Sequence, residues 1–162
     1  MAFSFLLILD TSGSMYGDNG EKILSLNLTA NNLLEGLKRI IPEPNLAVIT
    51  FGSSTTLKNS VPVSQIAPFS LTAQGKTPLT EAVALANTVV TENVITILLS
   101  DGAPDDGYFS KITLKGSAYA IGIGLDADYE ELARFTRSPD KVLSPCAAED
   151  AAGYILSRVP IE

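Results

Sequence analysis

Short apolar runs recur along the chain, separated by segments with a different spacing of apolar residues. Phe3–Leu9 is nearly continuous in apolar residues, as is typical of a parallel strand buried on both faces of a sheet. Five further strands are predicted, three of them from comparable apolar runs. The strands predicted in this way are Phe3–Leu9, Leu46–Phe51, Thr55–Val61, Val94–Leu99, Ala118–Ile123 and Lys141–Leu143.

The intervening segments have apolar residues every three or four positions, which predicts amphipathic helices. The first helix is predicted over Glu21–Ile41 and is ended by Pro42 and Pro44. A second opens at Thr77-Pro78, because proline is favoured at the first helical position. Its apolar face is formed by Leu79, Ala82, Val83, Ala86 and Val90. The last two predicted helices are Tyr129–Thr136 and Glu149–Val159.

This order of elements predicts an α/β fold. Strands that alternate with helices form right-handed crossovers, which give a mostly parallel sheet with helices on both faces. The strand Thr55–Val61 follows another strand directly and is predicted to lie antiparallel at the edge. We therefore expect a doubly wound, Rossmann-like open sheet and one domain over residues 1–162.

The charge of the chain argues against nucleic acid and membranes as partners. The net charge is −7, and the eleven lysines and arginines are scattered along the chain. Phosphate binding requires clustered cations, which are absent. The apolar start lacks a basic leading segment, and no stretch approaches the roughly 20 apolar residues of a membrane helix. We expect a soluble, cytoplasmic protein.

The chain contains no histidine and a single cysteine, Cys146. A Ser-His-Asp or Cys-His catalytic system is therefore excluded within the chain. The lone cysteine cannot form an internal disulfide, which fits a reducing compartment. Any metal bound by this chain must be a hard cation held through oxygen atoms.

Two predicted central strands end in the same way, the first at Asp10 and the fourth at Asp101. Each aspartate alone is better explained as a turn residue or a helix N-cap. In open α/β sheets, however, ligands bind beyond the carboxyl ends of the central strands. Two carboxylates about 5 Å apart would repel by roughly 3 kcal/mol at an effective dielectric constant of 20. Neither motif contains lysine or arginine, so we expect a bound cation to offset this repulsion.

Hydroxyl groups follow the first aspartate at two fixed distances. Ser12 and Ser14 lie two and four residues after Asp10, and Gly13 allows a turn tight enough to bring both hydroxyls to one point. The alternative is that these serines cap the helix predicted to begin at Glu21, although they lie far upstream of it.

Three segments together resemble the von Willebrand A domain family. Asp10-Thr11-Ser12-Gly13-Ser14 is similar to the family's Asp-x-Ser-x-Ser signature. Gly75-Lys76-Thr77-Pro78 resembles its threonine loop, and Ser100-Asp101-Gly102 resembles its final Ser-Asp-Gly segment. The three occur in the expected order, and the resemblance covers essentially the whole chain.

The resemblance implies a metal-ion-dependent adhesion site. Its ligands would be Asp10, Ser12, Ser14, Thr77 and Asp101, with some acting through water. The ion would be Mg²⁺ or Mn²⁺ in preference to Ca²⁺, and its vacant coordination position would accept an aspartate or glutamate from a partner protein. Thr77 is alternatively the N-cap of its helix. Lys76 replaces the usual second glycine of the loop and places a cation near the site.

Two other functions remain open. A magnesium-dependent phosphatase could also use Asp10 at a strand end, but it would need a second aspartate where this chain has Ser12. A domain of this type could also bind partners without metal. The compact form is similar to bacterial cytoplasmic von Willebrand A proteins associated with tellurite resistance and stress responses. That similarity implies an adaptor, with kinases or phosphatases as candidate partners, and not an enzyme.

Overall fold

The computed structural model describes residues 4–16, 19–40, 42–76, 79–90, 94–102 and 112–144. Within these ranges the chain forms six strands, three α-helices and three short 3-10 helices. The strands are β1 Ser4–Asp10, β2 Asn45–Phe51, β3 Thr55–Pro62, β4 Val94–Ser100, β5 Ser117–Gly122 and β6 Val142–Leu143. The α-helices are α1 Glu21–Lys38, α2 Leu79–Val89 and α3 Tyr129–Thr136. The 3-10 helices are Gly13–Tyr16, Val63–Gln65 and Pro139–Lys141.

The six strands form one sheet in the order β3-β2-β1-β4-β5-β6. All neighbouring pairs are parallel except β2 and β3, which are antiparallel. The predicted open α/β sheet with one antiparallel edge strand is therefore confirmed. From β1 the chain first builds outward through β2 and β3, and it then returns to add β4 on the other side of β1. The strand order thus reverses between β1 and β4.

The central strands are apolar on both faces because helices cover both sides of the sheet. Phe5, Leu7 and Leu9 of β1 pack in one core cluster that also contains the buried face of α1. Leu6 and Ile8 point to the opposite side and pack in a second cluster. The residues that α2 and α3 contribute to this second cluster are Leu79, Ala82, Val83, Ala86, Leu132 and Phe135.

Most element boundaries differ from the predicted ones by one to three residues. The largest difference among the described helices is in α1, which ends at Lys38, while helix was predicted as far as Ile41. Arg39 caps this end by donating its backbone N–H to the last turn. The 3-10 helix Gly13–Tyr16 was not predicted. The predicted closing helix Glu149–Val159 and Cys146 lie outside the described residues.

No helix in the described ranges is both long enough and apolar enough to cross a membrane.

Segment 66–74, which leads from the edge of the sheet towards the second helix, is held by two asparagines of α1. It has no regular secondary structure. Asn27 accepts a hydrogen bond from the backbone N–H of Leu71 (2.7 Å) and donates one to its carbonyl oxygen (2.9 Å). Asn31 makes the same pair of bonds with Phe69, at 2.6 and 3.0 Å.

The spacing of these two asparagines matches the spacing of the backbone groups that they bind. Four helical residues rise by about 6 Å. Two residues of extended chain span about 6.6 Å. Asparagines one turn apart on α1 can therefore bind alternate residues of an extended segment, much as a neighbouring strand would. We call Asn27 and Asn31 the asparagine clamp.

We expect the substitution Asn27→Ala to lower the free energy of unfolding by about 1–3 kcal/mol, because it leaves two partly buried backbone groups of Leu71 without their partners. The measurement is urea denaturation followed by circular dichroism, with the slope of the transition unchanged. Asn32→Ala on the same helix, outside the clamp, is the matched control. Equal midpoints for the two variants would show that the clamp contributes nothing.

Candidate metal-binding site

Asp10 is the last residue of β1 and lies fully buried where the strand order of the sheet reverses. Its Oδ1 atom accepts hydrogen bonds from the backbone N–H of Ser12 (3.0 Å) and from the Ser12 hydroxyl (2.5 Å). Its Oδ2 atom accepts a hydrogen bond from the hydroxyl of Ser100, at the end of β4 (2.7 Å). Both oxygens of this carboxylate are therefore fixed in direction by groups at the end of β4 and in the turn after β1.

Ser12 and Ser14, in the turn after β1, form a chain of hydroxyls that ends on Asp10. The Ser12 and Ser14 Oγ atoms are 3.0 Å apart. Because the single O–H of Ser12 is used in the hydrogen bond to Asp10, Ser14 is the donor in this second contact. Ser12 is buried and Ser14 is exposed, so the chain runs from the interior to the surface.

The alternative explanation of these serines as helix caps is wrong. The N-cap of α1 is Gly20, which makes no side-chain capping hydrogen bond. The serines instead flank the start of the 3-10 helix Gly13–Tyr16, whose Met15 is fully buried in the core. This buried anchor fixes the turn and leaves the two hydroxyls on the side of Asp10.

Asp101 follows β4 and is 3% exposed. Its backbone carbonyl accepts a hydrogen bond from the N–H of Asp128 (2.8 Å), the residue that caps α3. The backbone N–H of Gly102 donates to the Ser100 hydroxyl (3.0 Å), which in turn donates to Asp10. Asp10 and Asp101 thus meet at the carboxyl end of the sheet, as their positions after two strands predicted.

The environment of Asp10 disfavours its charge. Burial raises the pKa of this carboxyl from 3.8 to about 6, opposed by the hydrogen bond from Ser12 and assisted by the negative charge of Asp101. The hydrogen bond from Ser100 also favours the charged form but does not restore the usual pKa. A positive charge placed beside Asp10 would therefore be stabilising.

The loop that contains Gln74 and Gly75 reaches the site through backbone contacts. The N–H of Gly13 donates to the carbonyl of Gly75 (2.8 Å), and the N–H of Gln74 donates to the carbonyl of Thr11 (2.9 Å). Gly75 has a φ of +86°, and a Cβ built on it would lie 2.3 Å from the backbone nitrogen of Ser53. This close approach of loops explains why glycine occupies the position.

The predicted ligand Thr77 lies outside the described residues, as does Pro78. Lys76, immediately before them, lies within the described residues and is exposed. Of the five predicted ligands, the structure thus describes Asp10, Ser12, Ser14 and Asp101, and it brings these four to one end of the sheet.

A lysine that lies in neither motif partly offsets the charge of the carboxylates. Lys22, in the first turn of α1, places its Nζ atom 3.4 Å from Oδ2 of Asp101 and 2.7 Å from Oδ1 of Asp126. The motifs themselves contain no cation, but the fold brings one in from a residue 79 positions away in the sequence. The only signal in the sequence was a lysine in the first helical turn, where a basic residue is unfavourable.

The oxygen groups at this end of the sheet fit a hard divalent ion. Two carboxylates and two serine hydroxyls are the donor types that Mg²⁺ and Mn²⁺ prefer. Among the described residues, no three acidic or cysteine side chains converge in a way that could hold an ion without other ligands. An ion here would therefore depend on the hydroxyls of Ser12 and Ser14 as well as on Asp10 and Asp101.

A cavity of about 260 Å³ lies at the opposite, amino-terminal end of the sheet. Most of its lining is apolar, including Phe5, Leu57, Val89 and Val94, and it contains no charged side chain. This cavity is separate from the acidic site.

No protein-family model and no curated protein sequence matches the chain. Solved structures match it in fold. The ArnB paralog VWA2 from Sulfolobus acidocaldarius is 20% identical with a TM-score of 0.66, covering 99% of this chain and 46% of that chain. The manganese-loaded TRAP protein from Plasmodium vivax is 21% identical with a TM-score of 0.66, covering 96% of this chain and 72% of that one.

A von Willebrand factor type A protein from Catenulispora acidiphila is 19% identical, with a TM-score of 0.64 over 95% of this chain and 42% of that chain. The chain thus spans less than half of the length of two of these three proteins. Its fold is that of von Willebrand A domains, as the three sequence segments implied. The likeness at these identities concerns the fold alone.

We expect Gly75→Ala to destabilise the protein by about 1–3 kcal/mol, because alanine is strained at positive φ and its Cβ would collide with the backbone of Ser53. Thermal unfolding followed by circular dichroism measures the change. Lys76→Ala, at the adjacent exposed position, should stay within about 0.5 kcal/mol of the wild type. A Gly75→Ala variant as stable as the wild type would contradict the described packing of Gly75 against the backbone of Ser53.

Proposed function

We propose that the chain is a divalent-metal-dependent protein-binding domain. The observation that supports this most directly is the meeting of Asp10, Asp101 and the Ser12–Ser14 hydroxyl pair at one end of the sheet. In this proposal Asp10, Ser12, Ser14 and Asp101, together with Thr77, hold Mg²⁺ or Mn²⁺. When bound, the ion supplies positive charge and a coordination position that a partner's aspartate or glutamate can fill.

The chain's own residues prepare the site in two ways. Ser12 and Ser100 hold the two oxygens of Asp10 in fixed directions, so that little side-chain freedom is lost when a cation binds. The hydroxyls of Ser12 and Ser14 form a chain from the buried carboxylate of Asp10 to the surface, where a partner can approach. The TRAP protein from Plasmodium vivax, which shares the fold, has been solved loaded with manganese, and this also supports a divalent ion.

The same contacts favour binding over catalysis. A phosphatase of the kind considered above would need an acid two residues after Asp10, whereas Ser12 stands there, and its hydroxyl donates a hydrogen bond to Asp10. We propose an adaptor and not an enzyme. From the resemblance to bacterial von Willebrand A proteins, we further propose the cytoplasm as its location, an acidic segment of a kinase or phosphatase as the candidate partner and a bacterial stress response as the setting.

Mg²⁺ is expected to raise the melting temperature of the wild-type protein relative to a chelator. At an ion concentration about 100 times the dissociation constant, a ligand that binds only the folded state adds about 2.7 kcal/mol. For a domain of this size, that corresponds to a rise of roughly 5–10 °C. Differential scanning calorimetry with Mg²⁺, Mn²⁺, Ca²⁺ and chelator measures it.

Ser14→Ala and Asp10→Asn should reduce this stabilisation, with ion affinity weakened by about tenfold or more. Ser60→Ala is the matched control, since Ser60 is an exposed serine near the amino-terminal end of the sheet. An equal melting temperature in Mg²⁺ and chelator for the wild type would refute the metal site. Tight binding of Ca²⁺ with none of Mg²⁺ would refute the proposed ion preference.

Capture of partners from the native cell should depend on both the ion and Asp10. We expect partners recovered in Mg²⁺ to be lost in chelator and with Asp10→Ala, because each removes the positive charge that a partner's carboxylate would contact. Quantitative mass spectrometry of the captured proteins is the measurement. Equal recovery under all three conditions would refute the adaptor function.

A further inference from the structure

Lys22 occupies a place that is unfavourable for an ammonium group on two counts. Its side chain is 6% exposed, and desolvation of a charge is costly. It is also the second residue of α1, and the helix dipole is positive at that end. A lysine at this position requires compensating negative charge.

Two carboxylates supply that compensation, and they differ in their exposure to solvent. Asp126, in the loop after β5, is 69% exposed and lies 2.7 Å from Nζ. The side chain of Asp101 is 4% exposed, and its Oδ2 atom lies 3.4 Å from Nζ. Burial lowers the pKa of Lys22, but the hydrogen bond to Asp126 and the charge of Asp101 outweigh it, so that the pKa is raised and the group is charged at neutral pH.

The side chain of Lys22 is directed towards these carboxylates by the loop after β5. Gly124 has a φ of +93°, and a Cβ built on it would lie 2.8 Å from Cε of Lys22. The absence of a side chain at Gly124 therefore leaves room for the lysine stem. This packing keeps the ammonium beside Asp101, one of the proposed ion ligands.

We propose that Lys22 competes with the divalent ion for Asp101 and thereby sets the ion affinity of the site, while Asp126 holds the ammonium when the ion is bound. This inference rests on the proposed metal site. An ammonium and a divalent cation near the same carboxylate repel each other, and the repulsion is strong where water is excluded. Asp126 offsets it by providing Lys22 with an alternative partner exposed to solvent.

Two single substitutions should change the affinity in opposite directions. Lys22→Met removes the charge while keeping an apolar stem of similar length, and we expect it to tighten Mn²⁺ binding by about tenfold or more. Asp126→Asn leaves the ammonium with Asp101 as its carboxylate partner, and we expect it to weaken Mn²⁺ binding by about threefold or more. Isothermal titration calorimetry with Mn²⁺ measures both.

The double variant Lys22→Met, Asp126→Asn should bind Mn²⁺ as tightly as Lys22→Met, because Asp126 acts through Lys22. Lys38→Met, a lysine at the other end of α1, is the matched control and should bind like the wild type. If Lys22→Met fails to fold, Asp126→Asn still tests the proposal, since the Asp126 side chain is largely exposed.

A merely structural ion pair gives a different result. Lys22→Met and Asp126→Asn would then lower the melting temperature in chelator and leave the Mn²⁺ affinity unchanged, which would overturn the role of Lys22 while the metal site stood. Absence of Mn²⁺ binding in both the wild type and Lys22→Met would overturn the metal site itself and this inference with it. Binding by Lys22→Met alone would support the competition and show that the wild-type lysine excludes the ion.

Discussion

The site depends on one constraint, a carboxylate buried at the point where the strand order of the sheet reverses. Burying Asp10 costs free energy, and the surrounding structure offsets part of that cost with three hydrogen bonds to its two oxygens. The donors come from the turn after β1 and from the end of β4. These hydrogen bonds to Asp10 therefore link the end of β1 to the end of β4, where the two halves of the doubly wound sheet meet.

The remaining negative potential is shared unequally between Asp10 and Asp101. Asp10 is surrounded by neutral hydroxyl and amide donors, whereas Asp101 has an ammonium group within 3.4 Å. Neutral donors orient a carboxylate but leave its charge in place, while an ammonium cancels it. The two aspartates, so similar in sequence context, are thus electrostatically different in the folded protein. In the proposed function, this asymmetry sets the ion affinity of the site.

Periodicity and strand-end chemistry predicted the mostly parallel sheet, its antiparallel edge strand and the placement of Asp10 and Asp101 at the same end of it, because these follow from regular backbone geometry. Interactions between side chains far apart in the sequence were not predictable in this way. The contact of Lys22 with Asp101 spans 79 residues, and that of Asn27 with Leu71 spans 44. Each depends on how α1 packs on the sheet, which apolar spacing specifies only as a face and not as a set of partners. The predicted roles of the metal ligands remain predictions.

The asparagine clamp has a consequence for how the protein can change over generations. Asn27 and Asn31 bind main-chain groups only, so the clamp itself places no demand on the identity of the side chains in segment 66–74. Mutations at its exposed positions can alter the chemistry of the surface beside the site while the path of the chain stays fixed. Diversification of this segment is therefore compatible with an unchanged scaffold, and libraries randomised at its outward positions offer a route to new binding specificities.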